Sequence, residues 1–139
     1  MGKTTTEIIK DIAGELDCGL DCYYNPKTQE VISIPSEDAL MDFEDADEIF
    51  GEALEKVENN DDFVKVEVLK SFESYKIMES FSDEVPDKQL RKQLVEALSR
   101  KKPFQNFSYV VDNSHYRQKW FDFKQEALEH YVRQQLGLA

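Results

Sequence analysis

One aromatic stripe near the C-terminus constrains the fold more than any other feature of the sequence. Between residues 116 and 131 an aromatic or small apolar side chain recurs every three or four residues, which is the spacing of one helix face. The side chains on this face are Tyr116, Trp120, Phe123, Ala127 and Tyr131, and Phe121, Leu128 and Val132 widen it. The sequence therefore predicts a long C-terminal helix with one buried face, which Asn113 or Ser114 caps and Gly137 ends.

Two more helices are predicted upstream of this one. The first has Ser71 as its N-cap and ends at residues 80–84, and its period-three apolar stripe is predicted to lie in the core. The stripe consists of Phe72, Tyr75, Met78 and Phe81. The second opens at Pro86 and stops at Pro103, and it buries Leu90, Leu94, Ala97 and Leu98. The joint that follows, residues 104–111, is too apolar for a free loop and is predicted to pack inward.

The N-terminal half mixes helix and strand patterns. Residues 4–15 predict a helix that begins at a threonine N-cap. The β-forming residues 22–24 and 31–34 flank the turn sequence Asn25-Pro26-Lys27-Thr28, which indicates a β-hairpin. Residues 63–68 alternate between apolar and charged side chains, which predicts a third strand antiparallel to the hairpin.

These elements predict an α+β fold, a small three-stranded antiparallel sheet with about five helices and an all-helical C-terminal half. The 139 residues fit a single domain over 1–139, because two independent cores need a longer chain. Within it, residues 1–68 form an α/β part with the hairpin and an acidic segment, and residues 70–137 form a helical part.

Charge is distributed unevenly along the chain, whose net charge is −12. Residues 35–62 carry 12 acidic side chains and one lysine, whereas residues 86–139 carry 10 basic and 6 acidic side chains. The acids at 42, 44, 45 and 47 lack the spacing of an EF-hand loop, and Gly51 is misplaced, so no metal site is predicted. A solvated acidic face is the interpretation we favour, on a helix whose apolar side carries Ile49, Phe50, Ala53, Leu54 and Val57.

The cysteine content and hydropathy indicate a cytoplasmic protein. Cys18 and Cys22 are too few for a disulfide framework, and they lack the nearby histidines that a metal site needs, so both are predicted to be reduced and mostly buried. No apolar run approaches the roughly 18 residues of a membrane helix, and residues 1–16 lack the layout of a signal peptide. We expect no membrane association and no cofactor.

Enzymatic function is not favoured. Cys22, His115 and Asp112 could supply a nucleophile, a base and an orienting acid, but their sequence contexts do not support that assembly. The five glycines are scattered rather than gathered into a phosphate-binding loop. No catalytic or cofactor-binding residue is therefore predicted, and an enzyme of unrecognised type stays an alternative.

A binding function is favoured instead. The main hypothesis is a protein-interaction module, in which the acidic segment meets a basic protein or the basic helix meets an acidic one. The alternative is an accessory protein that binds nucleic acid through the basic 86–119 surface, with exposed aromatic rings stacking on bases. The net negative charge makes nucleic acid the less favoured partner. The candidate binding residues are Arg91, Arg100, Lys101, Lys102, Arg117 and Lys119.

The C-terminal third resembles a bacterial group, uncharacterised protein family 0158. The resemblance is carried by Val85-Pro86-Asp87, the Leu90–Leu94 helix ending in Ala97-Leu98-Ser99, the pair Phe104 and Phe107, and Trp120 with Phe123. It covers residues 84–136 well, whereas the N-terminal half offers only a compatible hairpin and acidic pattern. The resemblance implies a bacterial protein with a small α+β fold, and it implies no activity because the family has none assigned.

The joint departs from the family pattern. Relatives typically read Phe-Arg-Arg-Phe-Lys here, whereas this chain reads Phe104-Gln105-Asn106-Phe107-Ser108. The two phenylalanines are kept and the central charges are lost. The resemblance therefore implies a packing role for both rings, and Arg100, Lys101 and Lys102 are the basic residues that partly replace the lost charge.

Overall fold

Helices and a three-stranded sheet alternate in the first half of the chain, and helices follow one another in the second. A computed structural model describes residues 4–138. The elements are α1 (Thr5–Asp17), β1 (Leu20–Tyr24), β2 (Val31–Pro35), α2 (Glu37–Leu40), α3 (Ala46–Glu58), β3 (Val64–Val66), α4 (Ser71–Glu84), α5 (Lys88–Ser99), α6 (Pro103–Asp112) and α7 (Arg117–Gln135). The α+β fold class is confirmed. In this part of the chain, no helix is both long enough and apolar enough to span a bilayer.

The described chain divides into two compact units. We call residues 4–68 with 128–138 the sheet unit and residues 69–127 the helical unit. The predicted division assigns residues 128–137 to the helical part 70–137, whereas here residues 128–138 belong to the sheet unit. The predicted single domain also includes residues 1–3 and 139, which lie outside the described part.

The sheet unit is built on the predicted hairpin. β1 is the central strand, antiparallel to β2 with Leu20 opposite Pro35 and antiparallel to β3 with Cys22 opposite Val66. The hairpin turn closes because Asn25 Oδ1 accepts hydrogen bonds from the backbone N–H groups of Lys27 and Thr28, at 2.9 and 3.3 Å. The buried apolar residues of this unit are Ile8, Ile9, Ile12, Ala13, Leu16, Cys22, Ile34, Val66, Leu128 and Val132.

The ends of the sheet unit are held by local hydrogen bonds that follow from sequence. Thr4 is the N-cap of α1, and its hydroxyl accepts from the N–H of Glu7 at 3.2 Å, as predicted. At the other end Gly137 has φ +70°, the left-handed conformation that glycine adopts without strain. The N–H of Leu138 then donates to the carbonyl of Arg133 at 2.8 Å, which closes α7.

The helical unit has an aromatic core. Phe107 is fully buried, and its ring centroid lies 4.9 Å from that of Trp120 and 6.4 Å from that of Phe81. Rings in such edge-to-face arrangements add to the stabilisation that burial alone provides. The core is completed by Val85, Leu90, Leu94, Leu98 and Val111. The packing role implied for Phe107 is therefore confirmed, while Phe104 is half-buried.

Several predicted helix boundaries are wrong. The N-cap of α4 is Lys70 rather than Ser71. The Glu73 carboxylate accepts from the Lys70 N–H at 3.1 Å and so caps this end of the helix without a serine. α4 also continues through residues 80–84 to Glu84, and within it the Ser82 hydroxyl donates to the carbonyl of Met78 at 2.9 Å. α5 begins at Lys88 rather than at Pro86, and Asp87 caps it, since its carboxylate accepts from two N–H groups at 3.0 and 3.1 Å.

The joint and the start of the last helix also differ from the prediction. The joint is a ten-residue helix, α6, with Pro103 in its first turn, so this proline begins a helix instead of ending one. The last helix begins at Arg117 rather than directly after Asn113 or Ser114, and the Ser114 hydroxyl accepts from the N–H of Tyr116 at 3.1 Å before it.

The predicted core face of α4 is partly wrong. Phe72 is 60% exposed although Phe81 is buried. A spacing of three falls short of the helical repeat of 3.6, so three such steps turn the side chain to the opposite side of the helix. On α3, for which only an apolar side was predicted, no residue is fully buried.

Candidate functional site

The six predicted basic side chains lie at three places in the helical unit. Arg91 is in the first turn of α5, residues 100–102 form the turn between α5 and α6, and Arg117 and Lys119 are in the first turn of α7. Five of the six are exposed, and Arg91 is half-buried. Whether they act as one binding surface stays a prediction.

Arg91 has a structural contact that explains its burial. Its Nε and Nη2 atoms both donate to the backbone carbonyl of Val85, at 2.9 and 2.7 Å. Val85 follows the last residue of α4, where carbonyl groups lack helical partners and carry partial negative charge. The guanidinium is therefore committed to closing α4.

The basic turn 100–102 is the most open of the three places. Lys102 has φ 56° and ψ 55°, a left-handed conformation that a side-chain-bearing residue adopts only where its neighbours hold it. The Asn106 side chain provides one such hold, because its Nδ2 donates to the carbonyl of Lys101 at 2.8 Å. All three basic side chains of the turn are exposed.

A groove of about 370 Å³ runs between α5 and α6 and reaches this turn at Arg100. Its other lining residues are Leu90, Gln93, Glu96, Ala97, Asn106, Tyr109, Val110, Asn113 and Ser114. A smaller hollow shares Leu90, Gln93 and Ser114 with it and adds Tyr116. The groove carries both a cation and a carboxylate, so its charge does not select an anionic partner.

The basic side chains of α7 lie against their own aromatic neighbours. Arg117 Cζ is 5.1 Å from the ring centroid of Phe121, and its Nε is 3.5 Å from Asp112 Oδ1. Lys119 Nζ is 5.2 Å from the ring centroid of Tyr116. These cation–π contacts occupy faces of the rings that base stacking would need.

A second candidate surface lies on the acidic segment of the sheet unit. Met41, Ile49 and Phe43 are 85%, 60% and 43% exposed. The Phe43 ring meets that of Phe50 edge to face, with 5.6 Å between centroids. We call Met41, Phe43 and Ile49, together with the exposed carboxylates of Asp42, Glu44, Asp45 and Glu52, the acidic apolar surface.

Sequence reasoning identified the acidity of this segment and missed its exposed apolar side chains. From the sequence, this segment is interpreted as a solvated acidic face on a helix with one apolar side. The available signal was the presence of Met41 and Phe43 among carboxylates, which a purely solvated segment does not need.

The charge of the acidic apolar surface is strongly one-sided. Residues 35–62 carry 12 acidic side chains against Lys56 alone. Lys56 Nζ lies 2.7 Å from Glu30 Oε2, so this lysine already has a carboxylate partner from the neighbouring hairpin. At the end of the segment, Asp62 pairs with Lys27 at 3.1 Å.

The cysteine that a nucleophile hypothesis would use is in an unsuitable environment. Cys22 is fully buried in β1, and its Sγ is 3.7 Å from Ser33 Oγ and 3.9 Å from the carbonyl oxygen of Ile12. Burial raises the pKa of the Cys22 thiol to about 11, so at neutral pH it is held in its unreactive, protonated form. Cys18 is exposed, which corrects the expectation that both thiols are mostly buried.

Comparison with known proteins places nearly the whole described chain in one family. The profile of Uncharacterised protein family (UPF0158) matches residues 4–137. The resemblance therefore includes the hairpin and the acidic segment as well as residues 84–136. No curated protein and no solved structure matches the chain. From its helical core to its acidic segment, the chain belongs to Uncharacterised protein family (UPF0158).

Proposed function

We propose that the protein is a non-catalytic protein-interaction module that meets a basic protein through the acidic apolar surface. The observation that carries this proposal is the exposure of Met41 and Ile49, at 85% and 60%, among carboxylates. Apolar side chains gathered on a surface are typical of binding sites for protein or lipid. The surrounding negative charge favours a cationic partner and disfavours an anionic membrane.

The basic turn at residues 100–102 gives weaker support for the opposite arrangement, in which a basic surface of this protein binds an acidic partner. Its three cations are exposed, but the groove beside them also contains Glu96. The ring of Phe121 on α7 and that of Tyr116 just before it, which a nucleic acid would need, are contacted by Arg117 and Lys119. We therefore place the basic surface second, and nucleic acid after a protein partner.

A cationic peptide of no particular structure tests the proposed function. The probe is a labelled peptide of about 18 residues, enough to cover α3, with equal numbers of lysine, leucine and alanine in scrambled order. We expect fluorescence anisotropy to show binding that weakens from about 50 mM to about 300 mM salt, because exposed charges are increasingly screened. A peptide with glutamate in place of lysine should not bind.

Two matched variants locate the contact. Ile49→Ser should weaken binding of the cationic peptide about threefold or more, since it removes exposed apolar area from the acidic apolar surface. Val95→Ser changes a similar aliphatic side chain, 50% exposed on α5, and should leave binding unchanged. Equal binding by both variants would contradict the proposal. So would a salt-sensitive shift with single-stranded RNA at about 150 mM salt, because that result favours the nucleic-acid function.

A further inference from the structure

The apolar side of α3 runs along the length of the helix, and one of its edges is exposed. Successive residues of an α-helix are turned by about 100°, which places Ile49, Ala53, Val57, Phe50 and Leu54 on one continuous arc. Ile49 lies at one edge of that arc and is 60% exposed, while the other four are half-buried. Met41 and Phe43 come just before the helix and add apolar area near its start.

Carboxylates lie on both sides of this arc. Glu52, three residues after Ile49, lies beside it on the outer edge, and Glu58, four residues after Leu54, lies beside the opposite edge. Both are exposed. Lys56 also lies near the Ile49 edge, but its ammonium group is paired with Glu30 at 2.7 Å. A partner that covers the open edge at Ile49 must therefore present cations beside its own apolar atoms.

The geometry favours a helix over a strand as that partner. The open apolar atoms belong to a helix and to the turn before it, which offer ridges and grooves but no free strand edge. An added strand would need one of the two sheet edges, β2 or β3, and the open apolar atoms lie on neither strand. A second copy of this chain is disfavoured too, since it would bring the same carboxylates into contact.

We infer that the acidic apolar surface binds an amphipathic α-helix whose apolar stripe is flanked by lysine or arginine. This inference rests on the proposed function and names the structural class of the partner. α3 has 13 residues, so it is about 20 Å long and matches a partner helix of three to four turns. Specificity comes from apolar spacing, and charge sets the rate and the orientation of encounter.

A pair of peptides with identical composition tests the inference. Both contain equal numbers of lysine, leucine and alanine over about 18 residues. In one, the leucines recur at helical spacing with lysines on both sides, and the other is the scrambled peptide described above. We expect the amphipathic peptide to bind at least tenfold more tightly, because only its leucines can pack on Ile49, Met41 and Phe43 together. Far-UV circular dichroism should show the peptide gaining helix on binding.

Variants of the full chain distinguish the possible outcomes. Met41→Gln combined with Ile49→Ser should abolish the advantage of the amphipathic peptide, whereas Val95→Ser should preserve it. Equal affinity of the two peptides for the unmodified chain would overturn the inference and leave the proposed function standing. Failure of both peptides to bind would overturn both. An advantage that survives the double variant would show that the helix binds elsewhere, and would also overturn the inference.

Discussion

Replacing Phe107 by alanine should lower the free energy of unfolding by about 3–5 kcal/mol, the usual cost of truncating a buried aromatic residue. Phe107 is fully buried, and its ring packs edge to face on Trp120 at 4.9 Å between centroids. The variant loses both the apolar burial and the contact between rings, and it leaves a cavity between α6 and α7 that neighbouring side chains fill only in part. Such a loss is a large share of the stability of a small protein.

Chemical denaturation followed by tryptophan fluorescence measures this effect directly. Trp120 is the only tryptophan, it is buried, and it contacts the substituted ring, so its emission reports on the helical unit. Tyr109→Ala is the matched control, because Tyr109 lies on the same helix and is 73% exposed. The control should change the unfolding free energy by no more than about 0.5 kcal/mol. Similar losses in the two variants would contradict the assignment of Phe107 to the core.

The second large effect is a difference in thiol reactivity. In the folded protein one thiol per chain, that of the exposed Cys18, should react quickly with a disulfide reagent, and Cys22 should react only after unfolding. With a pKa of about 11 for Cys22, roughly one molecule in several thousand carries the reactive thiolate at pH 7.5. Burial of Cys22 lowers the rate of its reaction with the reagent further. Rapid modification of two thiols in native buffer, or of one thiol in a Cys18→Ser variant, would contradict the buried position of Cys22.

The same pKa predicts how stability depends on alkaline pH. The Cys22 pKa rises from its ordinary value of 9.0 to about 11 on folding, chiefly because burial disfavours the thiolate. The contribution of this thiol is therefore complete below pH 9 and is lost as pH rises from 9 through 11, by about 2–3 kcal/mol in total. The stability advantage of the unmodified chain over Cys22→Ala should shrink by about 2 kcal/mol between pH 8 and pH 10.5. An unchanged advantage would contradict the raised pKa.

The sequence predicted the type of most elements because their patterns are local. The alternation in residues 63–68 and the turn chemistry at Asn25 depend only on neighbouring residues. The hairpin formed as expected, and the third strand formed over the shorter range Val64–Val66. Boundaries were less predictable, because they depend on which of several possible groups makes the capping hydrogen bond. At α4 a glutamate inside the helix replaced the expected serine, and at α5 the Asp87 cap made Lys88 the first helical residue instead of Pro86.

The candidate site was harder to predict, because exposure depends on the whole fold. The sequence shows where the basic residues are. It does not show that Arg91 binds the carbonyl of Val85 or that Lys119 lies 5.2 Å from the Tyr116 ring. Similarly, the apolar arc of α3 gave no sign that Ile49 would stay open while Leu54 became half-buried. Periodicity identifies which side of a helix is apolar, and tertiary packing decides how much of that side is covered.

The acidic apolar surface also has a consequence for the colloidal behaviour of the protein. At neutral pH its carboxylates give copies of the chain the same charge, so they repel one another before Met41 or Ile49 can meet. Near the isoelectric point of about 4.6 that repulsion disappears, while the apolar side chains stay exposed. Solubility should therefore be lowest in mildly acidic solution, and purification or crystallisation there would select self-associated forms.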